Sequence, residues 1–368
     1  MMTDHEYLLN CLTESYILTL IFNTDDCLKS MKREIRSFAP AVMTVMVLVF
    51  SGNVYGQKPE NLTFTEKYGG LYIPLDNVLT INMLQGGNVR LHYPGELDKK
   101  RLNTVIATEA GIYIAGLSFL SFIWYHDKER VPFHFYDDSK GYLQMDKAGH
   151  AYCAYHESYT AYYAFRWAGL NKKKALIYGG PVGLVFQTPV EIFDGLYEGW
   201  GFSWPDMAAN AFGAALFTVQ EAMFNEQVFL LKFSYSPSIY PKYHTILGET
   251  HVERFFLDYN GHTQWLSGNI RKLTGIEKFP CWINIAFGYS GNGMIKEFEN
   301  PDYYKGEPFP DLERYRQYLF SLDIDFSRIP CKKKWVKRLF RVFNLIKVPF
   351  PALEINRIDK VKFHPLYF

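Results

Sequence analysis

The chain has 368 residues, and its 39 Lys and Arg nearly balance 38 Asp and Glu, for a net charge of +1 at pH 7. No global field favours a polyanion, so no nucleic-acid partner is expected. Hydrophobic residues reach 48% and aromatic residues 17%, which is ample for a core and suits a membrane interface; a mean hydropathy of −0.14 excludes a mostly transmembrane helical chain.

From Met31 the sequence reads MKREIRSFAPAVMTVMVLVFSGNVYGQ. Lys32, Arg33 and Arg36 form a basic region, and Phe38 to Phe50 an apolar run too short to span a bilayer comfortably. A stretch ending in Gly56 supplies small or modest residues for cleavage. This is the pattern of an export signal over 31–56. Met31 then reads as the start of translation and 1–30 as upstream sequence. No cysteine follows the apolar run, so lipid attachment of the usual kind is not expected. Cys153, Cys281 and Cys331 have no metal-type spacing. Cys281 and Cys331 fit either a disulfide in an oxidising compartment or buried free thiols.

Residues 57–103 read as short strands and loops, with turn residues between GLYIPL and VLTINMLQGGNVRLHY. Residues 104–124 are apolar with one charge, Glu109. They are long enough to cross a bilayer, and a buried core helix is the alternative. Three more helices are predicted at about 146–169, 173–194 and 206–226. Gly169 and Asn171 should end the first, with the following lysines at its negative end. Pro181 and Pro189 should kink or break the second. Pro205 and Asp206 open the third.

After residue 227 the period changes to two. VFLLKFSYS, WINIAFGY and QYLFSLDIDF alternate, with Tyr318, Phe320, Leu322, Ile324 and Phe326 opposite Gln317, Ser321, Asp323 and Asp325. Each strand therefore has an apolar and a polar side, which suits a bilayer-facing surface or a half-buried periplasmic sheet. About six strand-like segments are fewer than the roughly eight of a closed bacterial barrel. Between them, 332–348 reads as a basic amphipathic helix. Trp335, Leu339, Val342, Phe343 and Ile346 share its apolar face, and Lys337, Arg338 and Arg341 flank it. Such a helix suits anionic lipid or an ordinary surface. The expected fold is thus α+β: a membrane-associated four-helix core over 104–226 with a polar centre, then antiparallel strands and the basic helix over 227–368.

The polar centre is read from helical spacing. Asp146, His150 and Glu157 share a face of small residues, next to Lys147. Gln187, Glu191 and Asp194 repeat the spacing on the next helix, and Asp206 and Asn210 on the last; Glu109 adds a carboxylate from the first. Buried carboxylates must be paired, protonated or metal-bound.

DKAGHAYCAY and EIFDGLYEGWGFSWPDMAANAFGA resemble the YfiM-type family of predicted periplasmic lipoproteins over about residues 100–225. More distantly they are similar to the VanZ-like membrane family, through Asp146, Lys147 and His150 and then Asp206 and Asn210. LDYNGHTQWLSGNI and CWINIAFGYSGNGM look like the extended form of the first family in Bacteroidota. The resemblance implies an exported, membrane-associated protein and supplies no activity.

Three functions follow as expectations. In the first, the protein is structural or scaffolding in the cell envelope, with membrane lipid as a partner. In the second, His150, Glu191, Asp194 and Asp206 act as general acid–base groups or ligate a divalent metal in a membrane enzyme, although no zinc signature or serine–histidine elbow is present. In the third, the aromatic links bind a hydrophobic ligand or an envelope partner. The alternating strands and terminal Phe368 favour the outer membrane, with the inner membrane as the alternative.

Overall fold

Asp98 opens the first helix, its carboxylate accepting from the backbone N–H of Lys100 and Arg101 at 2.9 and 3.1 Å. Those donors are otherwise bare at a helix start. Helix α1 accordingly runs Lys99–Tyr125, beginning before the expected residue 104. The computed structural model describes residues 96–368 other than 126, 127 and 332. The expectations for 1–30, for the export signal and for strands in 57–95 lie outside the described residues.

Helix α2 spans Met145–Trp167, α3 Lys172–Gly179, α4 Val182–Asp194 and α5 Trp204–Phe224. The predicted second helix is therefore two helices, broken at Pro181, while Pro189 is carried inside α4. Asn171 does not end α2. It caps α3, accepting from Lys174 N at 2.9 Å. The lysines therefore begin a helix rather than end one. Lys172 instead serves the negative end of α5, donating to Ala222 O and Asn225 Oδ1 at 3.1 and 2.6 Å.

Helices α4 and α5 lie hard against α2. A Cβ on Gly183 would sit 2.0 Å from Ala154 O, and one on Gly213 would sit 2.1 Å from Ala151 O. The small-residue faces seen in the sequence thus permit backbone contact. The opposite flank of α2 builds the apolar core: Tyr155 and Tyr162 pack with Phe217 and Val105, and Tyr159 and Tyr163 pack against them. Helix α1 stacks Tyr113 on Phe186 of α4 at 4.3 Å. Its apolar central stretch is not buried against the described residues. By length and composition it can cross a membrane.

Strands β1 (Phe229–Tyr235), β2 (His262–Asn269), β3 (Ile283–Asn292), β4 (Tyr303–Tyr304), β5 (Glu307–Pro308), β6 (Tyr315–Ile324), β7 (Phe350–Asn356) and β8 (Lys360–Tyr367) follow. Short helices α6 (His251–Leu257), α7 (Ile270–Thr274) and α8 (Lys334–Phe343) lie in the connections. Six strands form one sheet in the order β1-β2-β3-β6-β7-β8, and β4 pairs only with β5. All paired neighbours run antiparallel. The fold is α+β. Cys153, Cys281 and Cys331 are free thiols, so no disulfide joins Cys281 to Cys331, and Cys153 is exposed rather than buried.

The sheet is inside out. Register places Leu231, Leu266, Phe287, Phe320, Leu353 and Phe363 in one row across all six strands. Phe287, Phe320, Leu353 and Phe363 are 39, 44, 41 and 64% exposed. The other face is buried and mixed: Trp265, Ala286, Leu319 and Ala352 form a small apolar cluster, and polar side chains surround it. Lys232, fully buried, lies 2.8 Å from Asp323 Oδ2, and Ser267 Oγ donates to the same carboxylate at 2.7 Å. Gln317, Asn356 and His364 converge on Glu354, each at 2.6 Å. The sheet curls enough for Tyr367 on β8 to reach Thr263 on β2 at 3.1 Å. Helix α8 likewise keeps Trp335, Leu339 and Phe343 exposed, while Phe340 and Phe343 pack on Phe326.

Gly183→Ala is expected to destabilise the fold by about 1–3 kcal/mol, because the added methyl must push the α2 backbone away. Chemical unfolding in detergent measures it, and an unchanged midpoint contradicts the close helix approach.

Candidate functional site

A left-handed turn sets the entry to α2. Tyr142, Leu143 and Gln144 have φ of 42, 52 and 66°, a conformation costly for residues with a Cβ. Tertiary bonds hold it: Tyr142 N donates to Glu297 O at 2.8 Å, Tyr289 donates to Leu143 O, and Arg316 donates to Gln144 Oε1 at 2.7 Å. Asp146 and Lys147 follow at once on the first turn of α2, and His150 one turn on.

The Lys147 ammonium lies 2.6 Å from Asp138 Oδ2, 2.8 Å from Asp146 Oδ2, and 3.1 and 3.2 Å from the two oxygens of Asp206. Burial works against its charge, but Asp146, Asp206 and Asp138 outweigh that and hold its pKa above the usual lysine range. Ser203 ties the group together. Its hydroxyl donates to Asp138 Oδ1 at 2.5 Å and accepts from Asp206 N at 3.1 Å, capping α5. Its own N–H donates to Glu191 Oε2 at 3.3 Å.

His150 stands one turn deeper. Its Nδ1 lies 3.2 Å from Asn210 Oδ1 and 3.6 Å from Glu191 Oε1, and its Nε2 lies 4.0 Å from Asp206 Oδ1. Burial opposes a charged imidazole, yet Asp206, Glu191, Asp146 and Asp194 together raise its pKa. Burial drives the Glu191 carboxyl up to about 8. Glu191 Oε1, Asp206 Oδ1 and Asn210 Nδ2 are buried without a hydrogen-bond partner.

The structure therefore brings Asp146, Lys147, His150, Glu191, Asp206 and Asn210 together. Asp194 sits at the edge: Tyr125 donates to it, burial raises its pKa to about 6, and it acts on His150 through charge. Glu157 and Gln187 form a separate pair further along, Gln187 Nε2 donating to Glu157 Oε1 at 2.8 Å. Among the described residues no hydrogen bond or ion pair joins Glu109 to the centre. Asp138 and Ser203 were not anticipated. Ser203 carried a signal, a serine two residues before Pro205 at a helix start; Asp138 carried none, because it lies in the loop before α2, where no helical period fixes its direction, and its Ser203 partner is 65 residues away.

One ligand atom each from His150, Glu191 and Asp206 falls within 4.8 Å of the others, as does one each from Asp138, Asp146 and Asp206. Both groups suit a cation, and a deprotonated His150 or Glu191 could serve as a general base.

Residues 134–222 match the family model described as predicted periplasmic lipoprotein (DUF2279). The match covers α2 to α5 almost to its end, together with the loop bearing Asp138. It supports an exported, envelope-associated protein. No curated protein and no solved structure matches the chain.

Burial drives Glu157 up to about 8 from its ordinary 4.5, against the hydrogen bond from Gln187. The folded chain keeps a proton there that the unfolded chain releases. That stability is whole below the unfolded value and is lost as pH rises through the folded one. Glu157→Gln imitates the protonated carboxyl, so the variant should match wild type near pH 4 and exceed it near pH 9 by about 2–4 kcal/mol. Unfolding curves across that range measure the difference, and parallel pH dependences contradict it.

Proposed function

We propose that this protein is a structural component of the cell envelope, anchored in a membrane by α1 and by the outer face of the sheet, with the outer membrane as its site. The observation that carries the reading is the reversed sheet. A sheet in water buries its apolar side, and large contiguous apolar surfaces on soluble proteins mark contact with something apolar. Here the row from Leu266 to Phe363 is outside, while Lys232, Asp323, Gln317, Glu354 and Asn356 are inside, around the small apolar cluster of Trp265, Ala286, Leu319 and Ala352. Lipid chains reward that arrangement: apolar residues face outward and polar residues face a sealed interior. Ile285 and Leu322, paired neighbours one row on, extend the apolar surface, as do Tyr318, Ile355 and Val361 on the other side. The exposed apolar side of α8, flanked by Lys337 and Arg341, supports contact with anionic headgroups.

The helical centre fits the structural part of the reading. Lys147 joins the loop at Asp138, α2 and α5 in one network. Removing one partner from such a buried network costs about 3–5 kcal/mol, so the helices are held in fixed register.

In membranes washed with alkaline carbonate, the full chain should stay in the pellet and leave only with detergent. Phe320→Glu with Leu353→Glu should weaken the seating of the sheet while α1 still holds the chain, so that the folded variant leaves the pellet at a lower detergent concentration than wild type, since each carboxylate on a lipid-facing surface is costly. Wild-type protein released by carbonate alone would overturn the membrane reading. A density gradient that places it with inner-membrane markers would overturn the outer-membrane assignment.

A further inference from the structure

Two acidic groups share Asp206, and they differ in one respect. The group of Asp138, Asp146 and Asp206 already has its cation, because the Lys147 ammonium contacts all three. The group of His150, Glu191 and Asp206 has no such ammonium at its centre. Its carboxylate oxygens are nevertheless aimed inward and deeply buried. Glu191 is 0% and Asp206 4% exposed. Glu191 Oε1 lacks a hydrogen-bond donor, while its other oxygen accepts from Ser203 N; Asp206 Oδ1 also lacks a hydrogen bond and meets only the Lys147 ammonium, in an ion pair at 3.1 Å. A buried carboxylate oxygen left bare is costly, and native structures pair such atoms or bind an ion to them.

His150 completes the set. A donor at Nδ1 directed to Asn210 Oδ1, at 3.2 Å, leaves Nε2 with its lone pair free and turned toward Asp206 Oδ1. A hydrogen-bond acceptor that fixes the tautomer in this way is the usual companion of a metal-bound histidine. Nε2 stands 4.0 Å from Asp206 Oδ1, and one ligand atom from each of the three residues lies within 4.8 Å of the others, against about 3.4 Å between ligands that each stand about 2.1 Å from a tetrahedral ion.

We propose that His150 of α2, Glu191 of α4 and Asp206 of α5 bind one divalent first-row metal ion, which fastens three helices at a single point. One imidazole and two carboxylates suit Zn²⁺ or Mn²⁺ better than the all-oxygen shell that Mg²⁺ or Ca²⁺ demands. Three protein ligands leave at least one coordination position for water. The Lys147 ammonium lies against both oxygens of Asp206, at 3.1 and 3.2 Å, so metal and ammonium share that carboxylate. The inference stands on the helical centre and does not depend on the membrane seating, which fractionation reads separately.

The test uses the full chain purified in detergent, stripped with a chelator and titrated with Zn²⁺ and, in parallel, Mn²⁺. Wild type should retain about one equivalent after gel filtration, measured by elemental analysis, and its Tm should rise on loading. Glu191→Gln, Asp206→Asn and His150→Gln should each weaken binding at least tenfold and lose the Tm rise. Glu157→Gln, which alters a carboxylate outside the group, should bind as wild type does. Co²⁺ loading should give a visible absorption band that His150→Gln shifts or abolishes. Should Glu191→Gln fail to fold, His150→Gln carries the test, since its ring lies at the edge of the site with 18% of its side chain exposed. Two results overturn the proposal: no ion retained by folded wild type, or equal retention by wild type and folded His150→Gln. In either case a protonated His150 or Glu191 neutralises the group without metal.

Discussion

The helical half depends on one buried ammonium. Lys147 meets three aspartates that come from a loop, from its own helix and from the start of α5. Like charges at such separations repel strongly where water is scarce. Asp138, Asp146 and Asp206 can therefore share a site only around a cation. The position of Lys147 in turn requires that α2 and α5 approach within backbone contact, which Gly213 permits opposite Ala151. Charge and packing thus specify the same geometry. The loop that carries Asp138 is fixed as well, because Ser203 holds its second oxygen.

Helices and sheet meet at the free edge of β1, and they meet through hydrogen bonds. An edge strand presents unpaired N–H and C=O groups that must find partners or invite another chain. Gln220 of α5 takes both groups of Phe229, accepting from its N–H at 2.7 Å and donating to its carbonyl at 3.0 Å. His156 of α2 donates to Leu231 O at 2.8 Å. Burial keeps that imidazole neutral, with a pKa near 4. Phe233 exchanges bonds with Leu345 O and Lys347 N at 3.1 and 2.9 Å. Residues 229, 231 and 233 alternate outward along the strand, so three different segments seal one edge. Leu231, in the row that is exposed elsewhere on the sheet, is covered here by the helical core.

Much of this was legible from residue order. Alternation in QYLFSLDIDF and WINIAFGY marked the strands, and Ile283, Ile285, Phe287 and Tyr289 do share a side. Helical spacing placed Asp146 and His150 on one face and anticipated Glu191, Asp206 and Asn210 as their neighbours. Where spacing failed, a local competitor won. Asn171 captured a backbone N–H of α3 in place of closing α2. Glu157 kept its helical phase with His150 but stands nearly two turns further along, beyond reach of the centre, and found Gln187 instead. Strand β2 escaped notice because HTQWLSGN carries polar residues at positions that face the sheet interior, where Thr263, Ser267 and Asn269 are buried.

Sequence alone determined the α+β class and the phase of the strands in QYLFSLDIDF and WINIAFGY, since these follow from the local periods of helix and strand. It also determined that carboxylates would face one another, because their spacing matches the helical repeat. Which side of the sheet turns inward was a tertiary decision. Period two separates apolar from polar residues but names neither as the interior, and register across six strands was needed to show the polar side enclosed. The partners of each charge were likewise decided in three dimensions. Lys147 reaches Asp206, and Ser203 reaches Asp138, only because segments 59 and 65 residues apart are packed to contact, and no local period encodes a distance of that kind.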